Sequence, residues 1–299
     1  VESYLHLDAA AIRRHFQRAA NSYAANAAVA DIIHARLMEH LEVINLTPSH
    51  ILDLGGGDGK GAALLARRYP GAAVTVVDIS HALLRSSIVH ASWSSRVVSA
   101  FKGGRIRRLC ADMHALPVAS GSLDFVWSNL ALPWAVDIDA VLKECSRVLA
   151  PGGLFMFSSC GPDTLQELRR LPQSESRIHP FPDMHDVGDG LMRAGLAGPV
   201  MEMEKLSITF DDLTALRREL HLIGAGNALR SRGHGLGGRE FHAAWKALEA
   251  SHPDQMAITV EAVYGHAWKM RAANKARVDE GAPTVIKMHF PRKSESNPD

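Results

Sequence analysis

Short runs rich in apolar residues alternate with amphipathic stretches through the middle of this chain. Ile51 to Leu54, Ala73 to Asp78, Ile106 to Cys110, Leu123 to Ser128 and Leu154 to Ser159 read as five strands. The second, Ala73 to Asp78, is almost wholly apolar, as expected of a parallel strand covered on both faces. Between them, Ala62 to Arg68, about His81 to Ala91, and Val136 to Leu149 read as helices. The first of these stops at Tyr69-Pro70-Gly71. The turns Lys102-Gly103-Gly104-Arg105 and Ala150-Pro151-Gly152-Gly153 lead into the third and fifth strands. Strands alternating with helices predict an α/β fold, a doubly wound and mostly parallel sheet with right-handed crossovers.

The flanks follow a different rhythm. Ile12, Phe16, Ala19, Tyr23, Ile33, Leu37, Leu41 and Ile44 recur at helical spacing, which predicts an N-terminal helical cap over 8–46, as two helices meeting near Ala24 to Ala28. Past Ser159, residues 161–182 carry several prolines around a short Thr164 to Leu171 helix, so this crossover is expected to lie over the strand ends as a lid. A helix from Asp186 to Ala194 ends at Gly195, and Val200 to Phe210 reads as a long strand. Helical pieces at Leu213 to Leu222 and Phe241 to Ala250, split by the Gly-rich Gly224 to Gly238, form a helical insertion over 211–252 before a seventh strand, Ile258 to Trp268. Residues 1–270 are thus expected as one domain, with 271–299 a disordered tail.

Composition narrows the function class. Of 299 residues, 46% are apolar and 22% charged, as in globular proteins, and a chain of this length can bury roughly three quarters of its unfolded surface. A net charge of +1 gives no global case for nucleic-acid or membrane binding. Three cysteines without a C-x-x-C pair fit a reducing compartment, and sixteen histidines without an H-E-x-x-H motif predict no metal. No apolar run approaches the roughly 20 residues of a membrane span, and no basic-then-apolar leader opens the chain, so a cytoplasmic location is expected.

The candidate chemistry begins at Asp53-Leu54-Gly55-Gly56-Gly57-Asp58-Gly59-Lys60-Gly61, a strand breaking into glycines and then a helix. Glycines permit positive φ and let a ligand lie against bare backbone. Gly57, Gly59 and Ala62 satisfy G-x-G-x-x-G/A, a dinucleotide fingerprint; Asp53, Gly55, Gly57 and Gly59 satisfy D-x-G-x-G-x-G, the first motif of S-adenosylmethionine (SAM) methyltransferases. In an open parallel sheet, ligands sit beyond the carboxyl ends of the strands. Asp78 with Ile79, Asp112 with Met113, and Asn129 stand at those ends. Asp78 could accept from ribose hydroxyls, and Asp112 from an adenine amino group beside the apolar Met113.

Ala111-Asp112-Met113-His114-Ala115-Leu116-Pro117, then Ser122-Leu123-Asp124-Phe125-Val126-Trp127-Ser128-Asn129-Leu130, then Arg147-Val148-Leu149-Ala150-Pro151-Gly152-Gly153 resemble class I SAM-dependent methyltransferases, whose sheet is Rossmann-like. Several further segments narrow the likeness. Phe16-Gln17-Arg18-Ala19-Ala20 with Tyr23, Gly161-Pro162-Asp163-Thr164-Leu165, His179-Pro180-Phe181 and Val263-Tyr264-Gly265-His266-Ala267-Trp268 are similar to the malonyl-[acyl-carrier protein] O-methyltransferases of biotin synthesis. That resemblance implies SAM as cofactor, held by Asp53, Gly55, Gly57, Gly59, Asp78, Ile79, Asp112, Met113, Asn129 and Tyr23. It also implies a malonyl thioester on acyl carrier protein as methyl acceptor. Tyr23, Trp134 and His179 are candidates for shaping the acceptor pocket, and Arg169 for holding the malonyl carboxylate. A carboxylate is already ionised at neutral pH, so no catalytic acid or base is nominated. Ala30 and Pro133 depart from the family, where a glutamine and a polar residue are expected. An acidic carrier protein calls for a basic patch: Arg13, Arg14 and Arg18, or Arg217, Arg218, Arg230, Arg232 and Arg239. Other readings stay open: methylation of another small acid or a quinone precursor, and a SAM-binding hydroxylase or assembly protein of the respiratory chain.

Overall fold

The computed structural model describes residues 7–86, 106–172, 174, 177–230, 239–251 and 255–271. Three helices, α1 (Ala9–Ala19), α2 (Tyr23–Asn26) and α3 (Ala28–Glu42), precede the core. There β1 (His50–Leu54), α4 (Lys60–Arg68), β2 (Ala73–Asp78), α5 (His81–Ser86), β3 (Ile106–Cys110), β4 (Leu123–Asn129), α6 (Ile138–Val148) and β5 (Leu149–Cys160) follow. The chain closes with α7 (Gln166–Arg169), α8 (Met184–Arg193), β6 (Leu196–Phe210), α9 (Leu213–Leu222), α10 (Arg239–Ala250) and β7 (Met256–Lys269).

Among the described residues these strands form one seven-stranded sheet in the order β3-β2-β1-β4-β5-β7-β6. The first five run parallel, and β7 lies antiparallel between β5 and β6. Strand order reverses between β1 and β4, so the loops leaving those two strands open a crevice. Side-chain alternation splits the core into two layers. Ile51, Phe125 and Trp127 face α3 and α4 through Ile33, Leu37 and Leu65, whereas Leu52, Leu54, Val126 and Phe155 face α6 and α8 through Leu142 and Leu191. Each large side chain buried this way contributes about 1.5–3 kcal/mol.

Boundaries shift for physical reasons. The N-terminal cap is three helices; Asp8 starts the first by accepting from the Ala10 and Ala11 N–H groups. β6 begins at Leu196, earlier than its apolar pattern suggests, and its register against β7 shifts between Ala197 and Val200, where Pro199 has no N–H to donate. The expected 164–171 helix shrinks to the four residues of α7. The expected helix past Ser86, the Lys102–Arg105 turn and the tail 272–299 lie outside the described residues. No helix among the described residues is long and apolar enough to cross a membrane.

Candidate functional site

The loop between β1 and α4 is pinned to β2 by the Gly55 and Gly56 N–H groups, which donate to the Val77 carbonyl at 2.7 and 3.1 Å. Its glycines do different things. A Cβ on Gly55 would overlap the Cβ of Ala131, and one on Gly56 would stand 2.5 Å from Asp53 Oδ2 and 2.7 Å from Val76. Gly57, at φ +51°, would meet nothing closer than a Tyr23 ring carbon at 3.8 Å. Gly55 and Gly56 are therefore required by packing, while Gly57 faces open space. Gly59 is left-handed at φ 81° and starts α4.

That space is a cavity of about 1670 Å³ at the crevice. Gly55, Gly57, Asp78, Ile79, Asp112, Met113, Asn129 and Tyr23 line it, as do Trp134 and His179. Asp53, Gly59 and Arg169 are not among its lining residues. Asp53 lies behind the loop, 1% exposed, because its carboxylate fills the space a Cβ on Gly56 or Gly61 would need. Burial, opposed by the Ala62 N–H and reinforced by Asp58 and Asp78, pushes its carboxyl up to about 7. Its Oδ2 has no hydrogen-bond partner.

At the next strand end Asp78 accepts from the Gly57 N–H on Oδ2 (3.0 Å) and from the Ser80 N–H on Oδ1 (2.7 Å). Burial raises its carboxyl to about 6 against those two bonds. A carboxylate offers about four lone-pair directions, so capacity is left for two hydroxyl donors. Asp112 is held differently, by the His114 backbone N–H at 2.9 Å and the His114 ring at 2.5 Å, both on Oδ1. Burial acts against its ionisation, but these bonds and the Arg13 charge hold its carboxyl below the usual range. Asn129 lines the cavity with its amide engaged elsewhere: Nδ2 donates to the Ala30 carbonyl at 3.2 Å, and Oδ1 accepts from Ser158 Oγ at 2.7 Å. The departure at Ala30 is harmless to that bond, which uses only the backbone carbonyl of Ala30. Burial, with Asp58, Asp78, Asp31 and Asp53 nearby, drives the Tyr23 phenol far above its ordinary range and keeps it a donor.

Also in the lining, an aromatic wall runs from Phe16 to Trp134 (5.1 Å between centroids), to His179 (5.0 Å) and to Phe181 (4.7 Å). Burial and the Arg169 charge push the His179 ring down to about 4, opposed by its hydrogen bond to the Pro133 carbonyl, so it is neutral at neutral pH. Arg169, expected to hold a carboxylate, lies behind this wall. It donates to the Thr164 carbonyl (3.0 Å) and the His179 carbonyl (2.9 Å) and stacks on Phe181 at 5.2 Å, because it bridges the two halves of the crossover. The first part of that crossover is fastened along β7. Gly161 N–H donates to the Glu261 carbonyl, Asp163 N–H to Glu261 Oε2 at 2.6 Å, and Leu165 N–H to the Thr259 carbonyl.

The N-terminal cap and the helical insertion meet to roof the cavity. Ser22 Oγ donates to the Leu222 carbonyl at 2.8 Å, and Leu7, Ile12 and Leu229 share one apolar cluster with Phe16 and Trp134. Arg230 donates to the Leu7 carbonyl at 2.9 Å, which makes it a tie within this roof. Of the basic candidates, Arg217 and Arg218 line the cavity, from α9. Arg13, Arg14 and Arg18 lie on α1, with Arg14 3.8 Å from Asp8. Arg232 and the Arg239 side chain lie outside the described residues. Among the described residues no group of three or more His, Cys, Asp or Glu is arranged to hold a metal ion.

Sequence reasoning missed Leu130 and Leu165, non-glycine residues at φ 56° and 60° that both line the cavity. Such strain persists only where neighbours enforce it. It also missed His114, whose sole signal was its place two residues after a strand-end acid.

Residues 52–157 match the family model described as "Methyltransferase domain". The malonyl-[acyl-carrier protein] O-methyltransferase of Gallionella capsiferriformans is 42% identical over 292 residues, spanning 95% of this chain and 97% of that protein. The protein of the same name from Laribacter hongkongensis is 41% identical over 298 residues, spanning 94% and 96%. Among solved structures, a putative methyltransferase from Bacillus halodurans superposes with a TM-score of 0.52 at 17% identity, covering 79% of this chain and 98% of that one, a likeness of fold. Identity at this level, carried from the N-terminal cap through the last strand, shows that the chain belongs to the malonyl-[acyl-carrier protein] O-methyltransferase family.

Proposed function

We propose that this chain transfers a methyl group from SAM to the free carboxylate of a malonyl thioester on acyl carrier protein, giving the methyl ester that primes biotin synthesis. The observation carrying the proposal is near-full-length identity to relatives of that name, joined to a cavity lined by acidic strand ends and an aromatic wall. When bound, SAM supplies an electrophilic sulfonium methyl group. In this reading Gly57 leaves clearance for the methionine end, Asp78 accepts from the ribose hydroxyls, and Asp112 accepts from the adenine amino group between the apolar Ile79 and Met113. Tyr23 donates from above the glycine loop.

The malonyl carboxylate is ionised at neutral pH and would itself be the nucleophile toward that methyl group, so no protein base is required. What the protein contributes is positioning and the exclusion of water, which in favourable intramolecular cases supplies about 7–11 kcal/mol. Trp134 and the neutral His179 suit that role, because both are uncharged and give an aromatic surface to the lining. Arg217 and Arg218 are the basic residues proposed to meet the acidic carrier, with the α1 arginines as the other candidates. A single domain over residues 1–270 and a cytoplasmic location belong to the same proposal. The test is labelled-methyl transfer from SAM to carrier protein loaded with malonyl or with acetyl, which lacks the free carboxylate. Label on the malonyl form alone supports the reading. Label on free small acids or quinone precursors, or SAM binding without transfer, contradicts it.

A further inference from the structure

We propose that His114 is a positioning residue for the cofactor's base: its imidazole pins one oxygen of Asp112 so that the other is presented to an amino-group donor in the cavity. The inference rests on the adenine placement proposed above. His114 Nε2 accepts from two backbone N–H groups, Val136 and Asp137, each at 3.1 Å. A nitrogen facing two donors carries its lone pair, so the ring proton sits on Nδ1. Nδ1–H then donates to Asp112 Oδ1 at 2.5 Å, and the His114 backbone N–H donates to the same oxygen at 2.9 Å. Both donors fall on Oδ1, and among the described residues no hydrogen bond falls on Oδ2. One carboxylate oxygen is locked and its partner stays an unshared anionic acceptor.

Stability is a poor explanation for this arrangement. The side chains are 22% and 42% exposed, and partly exposed pairs of this kind contribute little to folding. The geometry instead lies across the cavity, where Asp112, Met113 and His114 stand together in the lining and Val136 continues it toward Trp134. His114 thereby ties the base-binding loop after β3 to the segment that carries the acceptor wall. An untethered carboxylate would rotate between donors and solvent, losing orientation toward a planar amino donor.

The test compares binding of S-adenosylhomocysteine with S-inosylhomocysteine, whose base carries an oxygen in place of the amino group, by calorimetry on the full chain. The wild type should prefer the adenine form roughly tenfold or more, the scale of one hydrogen bond to a charged acceptor. His114→Phe should erase most of that preference, and combining it with Asp112→Ala should change the ratio no further than Asp112→Ala alone. His114→Leu, which likewise has no donor for Asp112, should behave as His114→Phe and serves if the latter does not fold. A merely structural role would weaken both ligands equally, so an unchanged ratio in a folded His114 variant overturns the inference. An unchanged ratio in Asp112→Ala instead overturns the adenine placement itself.

Discussion

Gly57→Val separates ligand clearance from packing within a single loop. Gly57 has φ +51°, and an L-residue held there costs about 1–2 kcal/mol. Its Cβ would meet nothing closer than a Tyr23 ring carbon at 3.8 Å and the Gly55 carbonyl at 4.0 Å, so no core clash adds to that cost. For a domain of this size, roughly 2–4 °C per kcal/mol gives a melting point about 2–8 °C lower. The added carbons enter the volume assigned to the methionine end of SAM. Overpacking of a formed site costs about 1–3 kcal/mol per intrusion, or roughly 5- to 150-fold in affinity, with valine at the upper end or beyond. Gly56→Ala is the control, because its Cβ would lie 2.5 Å from Asp53 Oδ2 and 2.7 Å from Val76, both buried. It should lower the melting point at least as far while sparing most of the affinity of what still folds. Thermal melts and calorimetric titration with SAM read both quantities. A folded Gly57→Val protein with wild-type SAM affinity would refute the assignment.

Three further outcomes are expected. Asp53 has a folded pKa of about 7 against an ordinary value of 3.8, so the folded state favours its protonated form, and stability is lost as pH rises from about 4 to about 7. Asp53→Asn should match the wild type near pH 4 and exceed it near pH 8 by up to about 4 kcal/mol, read from urea unfolding at the two pH values; an equal difference at both would contradict the burial argument. Arg169→Ala removes two hydrogen bonds and a ring contact from the crossover, so it should cost about 2 kcal/mol or more and lower the melting point; a raised acceptor KM at unchanged stability would instead return Arg169 to the carboxylate. Charge reversal at Arg217 and Arg218 should raise the KM for malonyl-carrier protein and leave SAM affinity alone, and unchanged kinetics would remove that pair from the interface.

Much of the sheet was legible because buried parallel strands need runs dominated by apolar residues, and Ile51–Leu54, Ala73–Asp78 and Leu123–Ser128 supply them. The strand-end residues Asp78, Asp112 and Asn129 were placed by the rule that ligands collect beyond the carboxyl ends of a reversed sheet. What could not be read was which way side chains turn. Arg169 reads in sequence as a carboxylate-holding cation and Arg230 as a docking cation, yet they donate to the backbone carbonyls of His179 and Leu7, a fact decided by tertiary packing. Asp53 belongs to the glycine motif but faces the α3 and α4 side of the sheet, since it alternates with Leu52 and Leu54. The roof was invisible for the same reason: α1 and the 211–252 insertion carry only their own helical rhythms, while Gly224, whose Cβ would stand 2.9 Å from Phe16, shows how closely they meet.

Whether the methyl group reaches the malonyl carboxyl is decided by the intact mass of malonyl-loaded acyl carrier protein after incubation with this protein and SAM. The expected result is a gain of one methyl group in place of a proton, located on the malonyl carboxyl and released by mild base as from an ester. An unchanged carrier mass in the presence of protein that binds SAM would contradict the proposed reaction.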